Sequence, residues 1–357
     1  MKVLYGIQGT GNGHISCAQA LLPHLTRQAQ VDVLISGNQC DIELGYPLKY
    51  QLSGLGFVFG KKGGIDYLKT FKGSRLKQLF ADVQSLPVEE YDLVLSDFEP
   101  VTAWACKLKK IPCLSIGHQA AVLNAAVPQP AHTDALGRAV LAHYAPSKHA
   151  LSFHYLPYHK NIYTAIIRQE LRLMPVTNAG HVTVYLPAFG DKQIIRLLEL
   201  FPEVDWQVFS KHSKESYRVG NVFIQPINSK SFLTSMASAS AVLCGAGFQT
   251  TAEALFLKKK LMVVPMRGQI EQQCNAAALA ALGVQVLKSL KPKRREEVAA
   301  WIKHDQHIDL YFPDNAAEVV RTILTHPLLK EASNEATPVV AYKPFRKKLI
   351  TRIFNPR

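Results

Sequence analysis

The sequence predicts an α/β protein of two domains facing across a cleft. Three observations carry that prediction: apolar strand-like runs alternate with helical patterns throughout, the rhythm restarts in the second half, and each half places a glycine turn directly after a strand. At 357 residues the chain also exceeds what one hydrophobic core usually serves.

Lys2–Ile7 reads as the first strand, and the turn Gly9-Thr10-Gly11-Asn12-Gly13-His14 leads into a helical run over Ile15–Leu25. Strands at Val31–Ser36, Leu93–Ser96 and Pro112–Ile116 and a helix at Val101–Lys109 complete the first rhythm. The glycine- and base-rich stretch Leu52–Leu79 reads as a loop with an amphipathic helix that either covers an acceptor site or presents a solvated face. A His- and Tyr-rich patch, Ser152–His159, precedes a helical run at Tyr163–Leu173, and Met174–Gly180 breaks the pattern. The domains are therefore expected at residues 1–174 and 181–341, with a basic segment at 342–357.

In the second half, strands are expected at His181–Leu186, Asp205–Phe209, Val222–Ile224, Ala241–Cys244 and Leu261–Val264. Helices are expected at Asp191–Leu200, Phe232–Ala239, Thr250–Leu257 and Glu271–Leu282.

Composition narrows the function classes. No apolar run approaches the roughly 20 residues that span a bilayer, and the N-terminus lacks the pattern of a cleaved leader, so the protein is expected in the cytoplasm. The six cysteines show no metal-ligand spacing and read as reduced, buried thiols. A net charge of +14 implies an anionic partner. The tail Lys343–Phe354 mixes bases with Phe, Leu and Ile; it suits either peripheral association with an anionic membrane on its inner face or a helix packed on the protein. Aromatic residues are not interleaved with the bases, which argues against nucleic acid.

The glycine turns carry the chemistry. Glycines let the backbone approach a ligand, a helix N-terminus offers unpaired N–H groups and partial positive charge, and His14 titrates near neutral pH. Asp97, ending the Leu93–Ser96 strand, reaches the same sheet edge and is a candidate orienter of His14, although an Asp after a strand is more often a turn residue. His118, after the Pro112–Ile116 strand, is a further candidate for acceptor contact. In the second half, the Phe248–Thr250 amides behind Gly247 and the Thr250 hydroxyl suit a diphosphate. Glu253 lies one turn further in, where a carboxylate suits two sugar hydroxyls or merely a helix surface. Glu271, Gln272 and Asn275 open the next helix and suit hydrogen bonds to a polyhydroxylated ring or simple capping.

Taken together, Gly247-Phe248-Gln249-Thr250-Thr251-Ala252-Glu253, Pro265 and Glu271-Gln272-Gln273-Cys274-Asn275-Ala276 resemble the donor-binding signature of two-domain, GT-B-fold nucleotide-sugar glycosyltransferases. The likeness is to UDP-dependent glucosyl and glucuronosyl transferases and to the lipid-II-forming N-acetylglucosaminyltransferase, whose glycine-histidine loop Gly9–Ile15 also resembles. The resemblance implies two Rossmann-like domains, with Glu253 on ribose, Gly247, Phe248, Gln249 and Thr250 on the diphosphate, and Glu271 with Gln272 on the hexose. Asn275 would support that helix, Ile227 would meet the nucleobase, and His14 would stand at the acceptor beside Gly11, Asn12 and Gly13.

Two departures stand out: Gly245 replaces a signature histidine, and Pro187-Ala188-Phe189-Gly190 replaces a glycine-serine loop. The G-x-G-x-G spacing and a strand ending in Ser36-Gly37 disfavour a nicotinamide enzyme, and no D-x-D motif offers a metal site. The expected activity is inverting, metal-independent transfer of a hexose from a UDP-sugar to an acceptor hydroxyl, including a lipid-linked one. The UDP-sugar is a co-substrate, and no cofactor is expected. The alternatives are a UDP-sugar 2-epimerase and a non-catalytic nucleotide-sugar binder that docks on membranes.

Overall fold

The computed structural model describes residues 1–37, 43–54, 59–60, 64–65, 76–132, 134–304 and 308–328. The first sheet has seven parallel strands. In chain order they are β1 (Lys2–Gln8), β2 (Gln30–Ser36), β3 (Tyr50–Leu52), β4 (Leu93–Asp97), β5 (Cys113–Gly117), β6 (His149–His154) and β7 (Ile162–Thr164), arranged β3-β2-β1-β4-β5-β6-β7. Its helices are α1 (Asn12–Leu25), α2 (Leu76–Ser85), α3 (Pro100–Lys109), the single turn α4 (Gln119–Val122) and α5 (Ala135–Tyr144). Continuous apolar runs such as Val3-Leu4-Tyr5 suit strands covered on both faces, because both faces of a parallel sheet carry helices. Pairing of Ile7 with Asp97 and of Gln8 with Ser36 brings these strand ends to one edge.

A short helix, α6 (Gln169–Arg172), leads into the second sheet. That sheet holds β8 (Val182–Tyr185), β9 (Trp206–Ser210), β10 (Tyr217–Val219), β11 (Val222–Pro226), β12 (Ala241–Gly245), β13 (Lys260–Val264) and β14 (Gln285–Val286), ordered β10-β11-β9-β8-β12-β13-β14, with β10 antiparallel. Around it lie α7 (Asp191–Leu198), α8 (Ser229–Ser238), α9 (Phe248–Phe256), α10 (Ile270–Ala281) and α11 (Arg295–Lys303). Among the described residues no helix is long and apolar enough to cross a membrane. The five described cysteines are free and buried. The basic tail 342–357, Cys40 and most of the base-rich stretch before Leu76 lie outside the described residues.

The structure corrects the domain limits. After α11 the chain returns to the first domain and ends its described course in α12 (Ala316–Leu324), whose Val319, Val320 and Ile323 pack among Val3, Leu21 and Leu25. The cause is an amphipathic helix meeting the apolar face that α1 leaves open. The expected helix at Tyr163–Leu173 is also replaced, by strand β7, an extended crossing and α6. In that crossing Ile166 joins the first core while Ala165, Ile167 and Leu171 join the second, so the passage between domains begins before residue 174. The forward and return crossings are clamped together: the Arg172 guanidinium donates to the carbonyls of Phe312 (3.1 Å) and Pro313 (2.6 Å), and Asn315 donates to Thr164 Oγ1 (3.2 Å).

Candidate functional site

Parallel strands direct their following loops to one edge, and here both sheets turn that edge toward the other domain. Between them lies a cavity of about 670 Å³. The first domain lines it with Thr10–His14, Asp97, Phe98 and Gly117–Gln119. The second contributes Pro187–Phe189, Lys211, Gly245, Gly247–Thr250, Glu271 and Gln272.

The helix α1 begins at Asn12, three residues earlier than its sequence pattern suggests, because Gly11 holds an extended cap conformation. Its first turn carries Asn12, Gly13 and His14 to the cavity, and no side chain caps it. His14 Nδ1 lies 2.7 Å from Asp97 Oδ1. An ionised carboxylate only accepts, so Nδ1 carries the proton and Nε2 presents its lone pair to the cavity. Burial pulls the imidazole pKa down, but the charge of Asp97, its hydrogen bond and the charge of Glu271 together outweigh this, and the pKa stands above its ordinary value. Phe98, held at φ 53°, turns its ring parallel to His14 at 6.3 Å and stacks on Tyr144 at 4.7 Å.

Gly117 makes the pairing sterically feasible. It sits at φ 144°, and a Cβ there would stand 2.5 Å from Asp97 Oδ1. Gly117→Ala is therefore expected to displace the Asp97 carboxylate and to destabilise the protein by about 1–3 kcal/mol through backbone strain. Thermal melting together with the pH profile of activity checks this; unchanged values in both would show that the carboxylate can move without consequence.

On the opposite wall Gly247 is the extended cap of α9, again without a side-chain hydrogen bond, so the helix start at Phe248, Gln249 and Thr250 opens onto the cavity. The N-termini of α7 and α10, capped by Gly190 and Gln269, likewise lack side-chain caps. Of these, the starts of α1, α9 and α10 line the cavity and place partial positive charge around one space, the arrangement that suits an anionic group. Glu271 occupies the first turn of α10 and accepts from Gln119 Nε2 at 3.3 Å, while Gln272 Oε1 accepts from the Met266 N–H at 3.0 Å.

Several expected ligand contacts are corrected. Glu253 is 1% exposed and does not line the cavity. It receives a bidentate pair from Arg168, Nε to Oε1 at 2.8 Å and Nη2 to Oε2 at 2.9 Å, and a third bond from Gln249 Nε2 at 3.0 Å. The reason is packing: the crossing after β7 covers this face of α9, and a carboxylate buried there requires a partner. Gln249 accordingly folds inward, donating also to the Ile166 carbonyl.

His118 lines the cavity and also forms, with Asn275, a second interdomain link. The His118 ring stacks on Phe248 at 3.8 Å, its Nδ1 lies 2.8 Å from the Phe153 carbonyl, and its Nε2 lies 2.5 Å from Asn275 Oδ1. Burial lowers its pKa. Asn275 is fully buried, outside the cavity lining, and donates to the Ala246 carbonyl, so it ties α10 to the turn that precedes the α9 cap, a supporting place in keeping with the one the resemblance implies. Ile227, beyond the end of β11, does not line the cavity either.

Sequence reading missed Gln119, Arg168, Phe98 and Lys211. Gln119 follows His118 at a strand end and was legible by the same edge argument. Arg168 was hidden inside a run that reads as helix. Lys211 follows β9 and lines the cavity, a position the same edge argument reaches.

The comparisons agree with this architecture. Arabidopsis thaliana UGT89C1, in a structure with UDP, is 14% identical over 93% of this chain and 98% of that one, with a TM-score of 0.55. Acinetobacter baumannii MurG is 16% identical over 93% and 97%, with a TM-score of 0.51. The spinosyn forosaminyltransferase SpnP is 16% identical over 94% and 100%, with a TM-score of 0.54. A comparison with curated protein sequences finds no match. Because the model of glycosyl transferase family 1 matches residues 1–304, and the two facing sheets are those of GT-B glycosyltransferases, the chain belongs to glycosyl transferase family 1.

Proposed function

We propose that this glycosyltransferase moves a hexose from a UDP-sugar to an acceptor hydroxyl with inversion and without a metal ion. The observation that carries the reading is the His14–Asp97 pair set across one cavity from the open N-terminus of α9 and from Glu271. The UDP found with UGT89C1 supports the choice of nucleotide.

In this reading the diphosphate lies against the amides of Phe248–Thr250, with Lys211 adding positive charge at the cavity wall. Glu271 and Gln272 meet the hexose hydroxyls. Phe98, Val140 and Leu141 give the acceptor side an apolar wall suited to a hydroxyl borne on an apolar body. The acceptor oxygen attacks the anomeric carbon from the side opposite the diphosphate, and its proton passes to His14 Nε2. The bond to the UDP oxygen breaks as the new glycosidic bond forms. Asp97 stabilises the resulting imidazolium, and the helix amides meet the charge growing on the leaving diphosphate.

The test is incubation with a panel of UDP-sugars and hydroxyl acceptors, with the product anomer read by NMR. Retention of configuration, or epimerised sugar without any acceptor, would overturn the proposal.

A pH signature follows from the pair. Neutral His14 is the active form, so kcat/KM is expected to rise with pH through a limb lying above that of an ordinary imidazole. Asp97→Asn is expected to lower that limb and to reduce kcat on the order of 10²-fold. Stability runs the other way: with its folded pKa raised, the pair stabilises the fold below the unfolded imidazole's pKa, and the contribution is lost as pH rises through the folded value. Rate and melting profiles of wild type and Asp97→Asn measure both; a limb that does not move in the variant removes Asp97 from the reaction.

A further inference from the structure

We propose that Gln119 is a positioning residue for the transfer, linking the base to the sugar-side carboxylate across the domain boundary. The inference rests on the hexosyl-transfer reading above.

Gln119 opens α4 directly behind Gly117 and His118, and it is buried at the cavity wall. Its Nε2 lies 3.5 Å from His14 Nε2 and 3.3 Å from Glu271 Oε2. A primary amide has two N–H donors, and here each has one acceptor: the His14 lone pair left open by the Nδ1 proton, and a carboxylate oxygen of the other domain. A continuous chain, Asp97–His14–Gln119–Glu271, therefore runs from the end of β4 to the first turn of α10.

The other half of the carboxamide has no such pairing: among the described residues, buried Gln119 Oε1 has no hydrogen-bond partner, and neither has Asp97 Oδ2. Both side chains flank Gly117, whose absent Cβ would lie 2.5 Å from Asp97 Oδ1 and 3.3 Å from Gln119 Oε1. Buried acceptors left open do not strengthen a fold, so the requirements of packing alone do not account for an amide here.

The chain gives the amide a task. Without donor, Gln119 occupies the base's lone pair and keeps it from activating a passing water. Sugar hydroxyls that bind Glu271 compete for its oxygens, and an amide that has lost its Glu271 anchor is free to swing away from His14. His14 Nε2 is thereby freed for the acceptor only once the donor is in place.

The ionisable groups facing His14 are Asp97 from β4, Glu271 from α10, His118 beside α4 and Cys17 one turn along α1. Among them Asp97 and Glu271 favour the imidazolium, and the amide N–H aimed at Nε2 favours the neutral ring.

The test uses the full chain and three measurements: the acid limb of kcat/KM, the fraction of donor lost to free sugar in place of transfer, and UDP affinity by calorimetry. Gln119→Met keeps the length and removes the amide; Gln119→Glu keeps the shape and replaces a donor with a charge. The acid limb is expected to rise in Met and further in Glu. The hydrolysed fraction should increase in both, kcat should fall about tenfold in Met, and UDP affinity should stay within about twofold.

An unmoved acid limb and an unchanged hydrolysed fraction would overturn the inference. Should the Met variant fail to fold, the near-isosteric Glu variant decides it on the same two readouts. If His14→Ala retains full turnover, the base assignment itself fails. If His14→Ala abolishes turnover while the Gln119 variants behave as wild type, this inference alone fails.

Discussion

His14→Ala is expected to lower kcat by about 10²–10⁴-fold while leaving UDP affinity within about twofold, the range that removal of a general base spans. The expectation follows from position. Nε2 is the ring atom turned to the cavity, Asp97 holds the other nitrogen at 2.7 Å, and the α9 helix start that faces the diphosphate lies in the other domain. Initial rates with saturating donor and calorimetric titration of UDP separate the two effects. Equal turnover in wild type and variant would remove His14 from the chemistry; a collapse of UDP affinity with little change in kcat would move it to the donor.

Glu253→Ala is expected to act on stability before anything else. The substitution leaves the Arg168 guanidinium buried and unpaired, a change that costs about 3–5 kcal/mol when one partner of a buried pair is removed. For domains of this size the melting midpoint should fall by roughly 10 °C. Replacing both residues together, Arg168→Met with Glu253→Leu, should recover most of the loss, because two apolar side chains of similar volume need no hydrogen-bond partners. Melting of the single and double variants checks this, with UDP affinity measured on each. A Glu253→Ala protein that melts like wild type yet no longer binds UDP would return the carboxylate to the ligand.

The alternation of strands and helices was legible because parallel sheets leave continuous apolar runs, and those runs dominate the pattern from Lys2 to Ile7 and from Ala241 to Val264. The meeting of His14 with Asp97 was legible for the same reason: Asp97 ends β4, His14 opens the helix that follows the adjacent parallel strand β1, and such strands deliver their C-terminal ends to one edge. The fate of Glu253 was not legible. Spacing places it one turn into α9 but says nothing of which segment, distant in sequence, will cover that turn. Arg168 is 85 residues away and stands in a run whose apolar spacing reads as helix. The return of α12 was hidden likewise, since an amphipathic helix announces its buried face and not the partner that buries it. The helix starts were each read two or three residues late at α1 and α9, because glycine caps make no side-chain bond to announce them.

The two crossings between the domains run side by side, tied by Arg172 to the carbonyls of Phe312 and Pro313. A body joined to another by a single strand can twist and swing in every direction; one joined by two strands fastened at a point is confined mainly to rocking about that fastening. The wall that bears His14 and the wall that bears the α9 amides are therefore held in register by their shared hinge as well as by their contacts, and a ligand reaching both meets them in a fixed mutual orientation.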